Sequence, residues 1–179
     1  MNEVPTPVNE DRLPYQQRCG FVALVGAPNA GKSTLLNQLV GTKVSIVSPK
    51  VQTTRTRVRG IVMTDDAQLV FIDTPGIFAP KRRLDRAMVK AAWNGADDAD
   101  LVVLVIDAGA GITDEVRAII DQLKSQNRKA ILAMNKVDKV ADKEKLLRLS
   151  QEFFAEEVFT DVFMISAKKG SGTQDLVNF

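Results

Sequence analysis

The stretch Gly26-Ala27-Pro28-Asn29-Ala30-Gly31-Lys32-Ser33 decides the fold, because it matches the pattern G-x-x-x-x-G-K-[ST]. A short apolar run over residues 21–25 precedes it and predicts a strand buried on both faces. Residues 31–40 follow with three leucines on one side, which predicts a helix. A strand, a glycine-rich loop and a helix in this order predict a loop that binds phosphate.

Each part of this phosphate loop (residues 26–33) has an expected task. The two glycines let the backbone curl so that several N–H groups point inward, and the start of the helix adds its positive dipole end. Lys32 is expected to reach the terminal phosphates, and the Ser33 hydroxyl to be a magnesium ligand. The residues predicted to line a bound nucleotide here are Ala27, Pro28, Asn29, Ala30, Gly31, Lys32, Ser33 and Thr34.

Apolar runs alternate with amphipathic segments along the rest of the chain. Further strands are predicted over 58–63, 68–72, 101–106, 130–134 and 162–165, and helices from Thr113, over 143–154 and from Thr173. The first two of these strands are joined by a short polar turn and form an expected antiparallel pair. The pattern predicts an α/β fold of the P-loop NTPase type: a three-layer sandwich with a mostly parallel six-stranded sheet and one antiparallel strand.

Residues 1–18 are rich in Pro, Asn, Glu and Asp and are expected to be a flexible tail, followed by one domain over 19–179. The last helix opens at Thr173, and the sequence stops at Phe179 after barely two turns. We therefore expect a truncated helix and a natural protein that continues.

Composition excludes several kinds of chemistry. The 179 residues contain no histidine, so a histidine base or metal ligand is impossible. Cys19 is the only cysteine, which excludes an internal disulfide and a C-x-x-C motif. It is expected to be a small, partly buried side chain before the first strand, and a lone thiol fits a reducing, cytoplasmic compartment. The net charge of +2 does not by itself point to a nucleic acid or a membrane.

A second polar motif, Asn135-Lys136-Val137-Asp138, directly follows the strand over 130–134. Guanine presents two adjacent donors that the Asp138 carboxylate can accept, and adenine offers no such pair. Asn135 is expected to tie loops together, and the Lys136 stem to lie along the base. The stretch Ser166-Ala167-Lys168 follows the next strand, and its backbone is expected near the guanine oxygen.

A third motif, Asp73-Thr74-Pro75-Gly76, follows the strand over 68–72. Asp73 is expected to hold magnesium through water, and the N–H of Gly76 to contact the terminal phosphate at close range. D-x-x-G alone carries little weight, and its value is its order between the other motifs. An ATPase would leave Asp138 without a role, which argues for guanine.

The four motifs together resemble the translation-factor-related GTPases and, within them, the Era family of bacterial ribosome-assembly GTPases. The phosphate loop with its extension Thr34-Leu35-Leu36-Asn37 and the run Lys43-Val44-Ser45-Ile46-Val47-Ser48-Pro49-Lys50-Val51-Gln52-Thr53-Thr54-Arg55 carry the resemblance. The resemblance implies binding of GTP and GDP with Mg²⁺, and hydrolysis that works as a switch in small-subunit assembly. Thr54 would join Ser33 and Asp73 on the metal.

The resemblance also implies two switch loops, over about 41–57 and 74–97, that become ordered with GTP. It implies a C-terminal KH domain, absent from these residues, that binds small-subunit ribosomal RNA. A monomer in the cytoplasm, with peripheral association with the inner membrane, completes this expectation.

Ile77 occupies the position where many GTPases carry a glutamine that orients the attacking water. Isoleucine cannot form that hydrogen bond, so we expect slow unassisted hydrolysis, at or below roughly 10⁻⁴–10⁻² s⁻¹. In related GTPases an asparagine at the Asn29 position helps to hold potassium beside the phosphates. The expected catalytic set is Asn29, Lys32, Thr54 and Gly76.

Other readings stay open. GTP loading could regulate docking with incidental turnover, which makes the protein a binding module. The G domain of a membrane iron transporter is another potassium-type alternative, against which Gln52-Thr53-Thr54-Arg55 argues. The basic residues around Lys43 and Lys81 favour a solvated surface, and Trp93, Phe153 and Phe154 are predicted core residues.

Overall fold

The computed structural model of the chain describes residues 18–45, 47, 58–64, 67–80 and 83–179. Thr54 lies outside these residues, as do the rest of the Gln52–Arg55 run and Lys81. The predicted tail is likewise outside them, apart from Arg18.

Six strands and five α-helices follow one another in the described chain. The strands are β1 (Arg18–Val25), β2 (Val58–Met63), β3 (Ala67–Asp73), β4 (Leu101–Asp107), β5 (Ala130–Asn135) and β6 (Phe159–Met164). The helices are α1 (Lys32–Val40), α2 (Arg83–Asp97), α3 (Asp114–Ser125), α4 (Lys143–Phe154) and α5 (Thr173–Asn178). A short 3₁₀ turn, Val137–Lys139, follows β5.

The strands form one sheet in the order β2-β3-β1-β4-β5-β6. β1 lies in the middle and pairs in parallel with β3 on one side and with β4 on the other. Among the strands of the described residues, only the β2–β3 pair is antiparallel. The predicted fold class is therefore confirmed, including the single antiparallel strand at the edge.

Helices cover both faces of the sheet, because the central strands carry apolar side chains on both sides. One core contains Leu104 and Leu132 together with buried residues of α2, α3 and α4. The other contains Leu24 and Val105 together with buried residues of α1 and α5. Among the described residues, no helix is both long enough and apolar enough to cross a bilayer.

Three strands begin earlier than predicted, and for β3 the difference is the single residue Ala67. β1 begins at Arg18, because its pairing with β3 extends to Ala67, so Cys19 lies inside the strand and is exposed. The prediction of a partly buried cysteine before the strand was wrong. β6 begins at Phe159, which pairs with Ala130, and ends at Met164, one residue before the predicted end.

Two further predictions concern aromatic side chains. Phe153 is fully buried as predicted, but its neighbour Phe154 is 56% exposed. Consecutive residues on a helix point about 100° apart, so α4 cannot bury both against the same core. Trp93 is partly buried and packs against the core under α2. The second expected switch loop is a loop only up to residue 80, since α2 occupies its second half.

Candidate nucleotide site

The sequence motifs meet at one edge of the sheet, because each directly follows the carboxyl end of a parallel strand. The phosphate loop follows β1, Asp73 ends β3, Asn135 ends β5, and Ser166 comes two residues after β6. β1 lies at the switch point of the sheet, because the chain runs from β1 to β2 and β3 on one side of it and then crosses to β4 on the other. In open α/β sheets, ligands bind at such a switch point, outside the carboxyl ends of the strands.

The backbone of the phosphate loop adopts conformations that its sequence permits. Asn29 has φ +60° and Gly31 has φ +103°, both in the left-handed range. A Cβ atom at Gly31 would lie only 2.2 Å from Nδ2 of Asn135, so glycine is required for the loop to approach β5. α1 begins at Lys32, one residue after the predicted helix start, and Gly31 is the residue that precedes it.

Lys32 is the first residue of α1, and its side chain is folded back over the loop. Its Nζ donates to the carbonyl oxygens of Gly26 at 3.0 Å and Ala27 at 2.9 Å. Burial lowers the pKa of Lys32 to about 8, against the opposing effect of the Asp73 carboxylate. The ammonium group is thus held next to the inward face of the loop, where a phosphate would keep it charged.

Ser33 and Asp73 form the second polar pair of the site. The Ser33 hydroxyl donates to Oδ2 of Asp73 at 2.6 Å, and both residues are buried. The Ser45 hydroxyl donates to the same oxygen at 2.8 Å. Asn37 of α1 in turn holds the backbone of residues 44 and 45 through hydrogen bonds of 2.8–2.9 Å. The beginning of the first expected switch is therefore anchored beside Asp73.

The residues at this point fit a magnesium ion. Ser33 and Asp73 supply the hydroxyl and carboxylate oxygens that Mg²⁺ prefers. The described residues contain no cluster of three or more His, Cys, Asp or Glu side chains that could cage a metal. Mg²⁺ is commonly held by one or two protein oxygens together with substrate phosphates and water.

The Asp73–Gly76 loop packs directly on the phosphate loop. A Cβ atom at Gly76 would lie 2.9 Å from Cα of Pro28, so only glycine allows this contact. The Thr74 hydroxyl donates to the carbonyl of Leu24 at 2.7 Å, and Pro75 is buried. Ile77 donates its N–H to Gly26 at 3.0 Å, while its side chain is 5% exposed and belongs to the core. The Ile77 side chain, at the position where many GTPases carry the glutamine, therefore points into the core and away from solvent.

Asn135 joins three loops. Its Nδ2 donates to the carbonyl of Ala30 in the phosphate loop at 2.9 Å. Its Oδ1 accepts from the N–H of Lys136 at 2.8 Å and from the N–H of Ala167 at 2.9 Å. The side chain is almost completely buried, so these bonds are protected from water.

Asp138 is exposed at the rim of the site, where its carboxylate can meet a ligand. The Ser166 hydroxyl donates to its Oδ1 at 2.7 Å. This hydrogen bond is the main reason why the pKa of Asp138 lies below its ordinary value, so the group is an ionised acceptor at neutral pH. Ser166 and Ala167 are buried, and Lys168 is exposed beside them.

The ammonium group of Lys136 makes two contacts that the sequence did not predict. Its Nζ donates to the carbonyl of Asn29 at 2.6 Å and to Oδ2 of Asp107 at 2.8 Å. The head of the side chain is thus fixed between the phosphate loop and the end of β4. The stem remains able to pass beside a base held by Asp138.

No role was predicted from the sequence for three residues that make contacts near the site: Asn37, Ser45 and Asp107. Asp107 carried a usable signal, because it is a polar residue at the carboxyl end of a buried strand, like Asp73 and Asn135. Ser45 had no such signal, since its contact with Asp73 spans 28 positions and depends on a loop conformation. Thr34 lies partly buried on α1, and the role of Thr54 stays a prediction because it lies outside the described residues.

Fold and site together define an α/β protein with a P-loop at the carboxyl edge of its sheet, and comparison with known proteins gives its family. The sequence profile described as "50S ribosome-binding GTPase" matches residues 21–136. The chain belongs to this family of GTPases. The predicted resemblance to Era is confirmed: the chain is 54% identical to GTPase Era of Brucella melitensis over all 179 residues, and it spans 57% of that relative's length.

Solved structures give the same result. The structure of Era in complex with MgGDPNP and nucleotides 1506–1542 of 16S ribosomal RNA has 41% identity and a TM-score of 0.85, covering 90% of this chain and 55% of that one. NFeoB from S. thermophilus, bound to GDP·AlF₄⁻ and K⁺, has 25% identity and a TM-score of 0.71, covering 89% of this chain and 60% of its own.

Proposed function

We propose that the protein binds GTP with Mg²⁺ and hydrolyses it to GDP and phosphate as a molecular switch. The observation that carries the proposal is the Asn135 side chain, which ties the phosphate loop to the loops of Asp138 and Ser166. This tie gives one ligand access both to the phosphate-binding backbone and to the base-reading carboxylate. The comparison with Era supports the same activity.

Guanine is the base that Asp138 fits. Its ionised carboxylate can accept from the ring N–H and the exocyclic amine of guanine, and adenine presents no matching pair of donors. The hydrogen bond from Ser166 leaves the second carboxylate oxygen and its remaining lone pairs for the base. The backbone of Ser166, Ala167 and Lys168 lies next to it and can approach the guanine oxygen.

The phosphates would lie over the phosphate loop. Lys32 would exchange its bonds to the carbonyls of Gly26 and Ala27 for the terminal phosphate oxygens. Ser33, Asp73 and Thr54 would hold Mg²⁺, which supplies charge that offsets the negative charge developing on the phosphates. Gly76 would donate its N–H near the terminal phosphate.

Hydrolysis needs a water molecule in line with the terminal phosphate, and Ile77 occupies the position from which a glutamine orients it in many GTPases. The buried Ile77 therefore supports slow unassisted turnover, at or below roughly 10⁻⁴–10⁻² s⁻¹. We propose that Asn29, whose side chain is exposed on the phosphate loop, helps to hold K⁺ where an arginine finger would place its charge. NFeoB, which was solved with K⁺, supports this. Equal turnover in K⁺ and Na⁺ at the same ionic strength would contradict it.

The proposed switch acts in assembly of the small ribosomal subunit. The Era structure that contains a 16S RNA fragment supports this partner. The family description names the 50S subunit, but we favour the small subunit because the Era likeness covers 90% of the chain. We assign RNA binding to a C-terminal KH domain outside residues 1–179, and we propose a cytoplasmic monomer with peripheral association with the inner membrane.

A binding module in which turnover is incidental is the second candidate, and the buried Ile77 favours it. Single-turnover hydrolysis by the isolated chain separates the two. The test measures phosphate release from GTP and from ATP in the presence of Mg²⁺. Lys32→Ala is the inactive variant. Lys129→Ala is its control, because it removes an exposed lysine that precedes β5, at the opposite end of that strand from the site. We expect release from GTP only, abolished by the first variant and unchanged by the second. No release by the unaltered chain would refute the enzyme proposal.

A further inference from the structure

The ammonium group of Lys136 connects two parts of the molecule that are far apart in sequence. Its bond to the carbonyl of Asn29 spans 107 positions, and its bond to the Asp107 carboxylate spans 29. Lys136 itself has φ +63°, an uncommon backbone conformation for a residue with a side chain. Its long, flexible stem needs a fixed partner to direct the ammonium group to one point.

Asp107 is built to be that partner. It is the last residue of β4 and pairs in register with Asn135. Its Oδ1 accepts from the N–H of Gly109 at 2.9 Å, which leaves Oδ2 aimed at Lys136 at 2.8 Å. Partial burial acts to raise the pKa of Asp107, but the hydrogen bonds from Lys136, Gly109 and Ala110 outweigh it and lower the pKa overall. The carboxylate is therefore charged at neutral pH.

The order of contacts runs from Asp107 through Lys136 to the phosphate loop. Without Asp107, the ammonium group would keep only the carbonyl of Asn29, and the flexible stem could leave it for water. The phosphate loop would then lose one of its ties to β5, whereas the tie through Asn135 would remain. Asp107 itself has no described bond to the phosphate loop, so its effect must pass through Lys136.

We infer that Asp107 is a positioning residue for nucleotide binding, which orients Lys136 so that its ammonium group holds the Asn29 end of the phosphate loop. The inference rests on the proposed function and deepens it. It predicts that loss of the Asp107 charge speeds the release of GDP by about tenfold. This is the effect expected when one partly exposed charge-assisted hydrogen bond is lost. The effect should be absent when Lys136 cannot respond.

The experiment is a double-mutant cycle on the dissociation rate of a fluorescent GDP analogue with Mg²⁺. It uses Asp107→Asn, Lys136→Met and the double variant. We expect Asp107→Asn to release GDP about tenfold faster, and to add less than about twofold in the Lys136→Met background. Asp107→Glu keeps the negative charge, so we expect its GDP release rate to stay close to that of the unaltered chain. Additive effects of the two substitutions, or an Asp107→Asn rate equal to that of the unaltered chain, would overturn the inference.

The matched control is Glu156→Gln. Glu156 is also an ion-paired carboxylate, bound to Arg117 and Lys124 of α3, but none of its contacts reaches the site. We expect its GDP release to be unchanged, and an equal acceleration would show a general effect of lost ion pairs and overturn the inference. If the unaltered chain binds no guanine nucleotide, the proposed function fails, and this inference fails with it. If the unaltered chain binds GDP normally and the cycle is additive, only the inference fails.

Discussion

The replacement Asn135→Ala tests the tie between the loops. The substitution removes three hydrogen bonds, of which two connect buried groups: the carbonyl of Ala30 and the N–H of Ala167, each 2.9 Å from the amide. The third partner, the N–H of Lys136, lies in a partly exposed residue and can bind water instead.

The magnitude follows from the two buried groups. A buried donor or acceptor left without a partner costs ~1–3 kcal/mol, so two such groups cost ~2–6 kcal/mol in total. In a domain of this size, each kcal/mol lowers the melting temperature by roughly 2–4 °C. We therefore expect Asn135→Ala to melt roughly 4–24 °C below the unaltered chain, with GDP binding lost or strongly weakened.

The assay is urea and thermal unfolding followed by circular dichroism, without nucleotide. Asn178→Ala is the control, because Asn178 is an exposed residue of α5 that accepts a single bond from Gln174 at 2.8 Å. We expect the control to change the free energy of unfolding by less than ~0.5 kcal/mol. An Asn135→Ala variant as stable as the control would refute the reasoning, because it would mean that the buried groups find other partners.

Two further predictions concern packing and protonation. Gly60→Ala should destabilise the fold by ~1–3 kcal/mol, because the new Cβ would lie 2.6 Å from Cδ1 of Leu36; urea unfolding measures it, and an unchanged midpoint contradicts it. The pKa of Lys32 is lowered to about 8 in the folded chain, so between about pH 8 and 10.5 the unfolded chain binds more protons than the folded one. Without nucleotide, the unaltered chain should therefore gain stability relative to Lys32→Met as pH rises through this window, which urea unfolding at pH 8, 9 and 10 measures. A stability difference that stays constant over this range would contradict the predicted pKa.

The fold could be predicted from the sequence largely because its strands are buried on both faces. Runs such as residues 101–106 have no polar residue, which places them in the interior of a parallel sheet. The motifs could be placed for the same reason, since each directly follows such a run. Predictions failed where burial depends on neighbours: the Cys19 position depends on how far β3 extends, and Phe154 depends on the side of α4 that faces the sheet.

The site was predicted less completely than the fold. The four motifs and the tie that Asn135 makes between loops could be predicted, but the contacts of Lys136 with Asn29 and Asp107 could not. The burial of Ile77 depends on a core that forms only when α2 packs on the sheet, and the Lys136–Asp107 pair joins the ends of two neighbouring strands. A single sequence contains no signal for such pairings beyond the polar residue that ends each strand.

We propose that this edge of the sheet binds a guanine nucleotide through Asp138. The most direct test of this proposal is the affinity of Asp138→Asn for GTP and for xanthosine triphosphate. The amide keeps one acceptor but presents a donor where the carboxylate accepted the exocyclic amine, so it matches xanthine. Two charge-assisted bonds of ~1.5–3 kcal/mol each are altered, so we predict a loss of GTP affinity of about 100-fold or more and a preference for xanthosine triphosphate. An unchanged preference for GTP would contradict the assignment of Asp138 as the residue that reads the base.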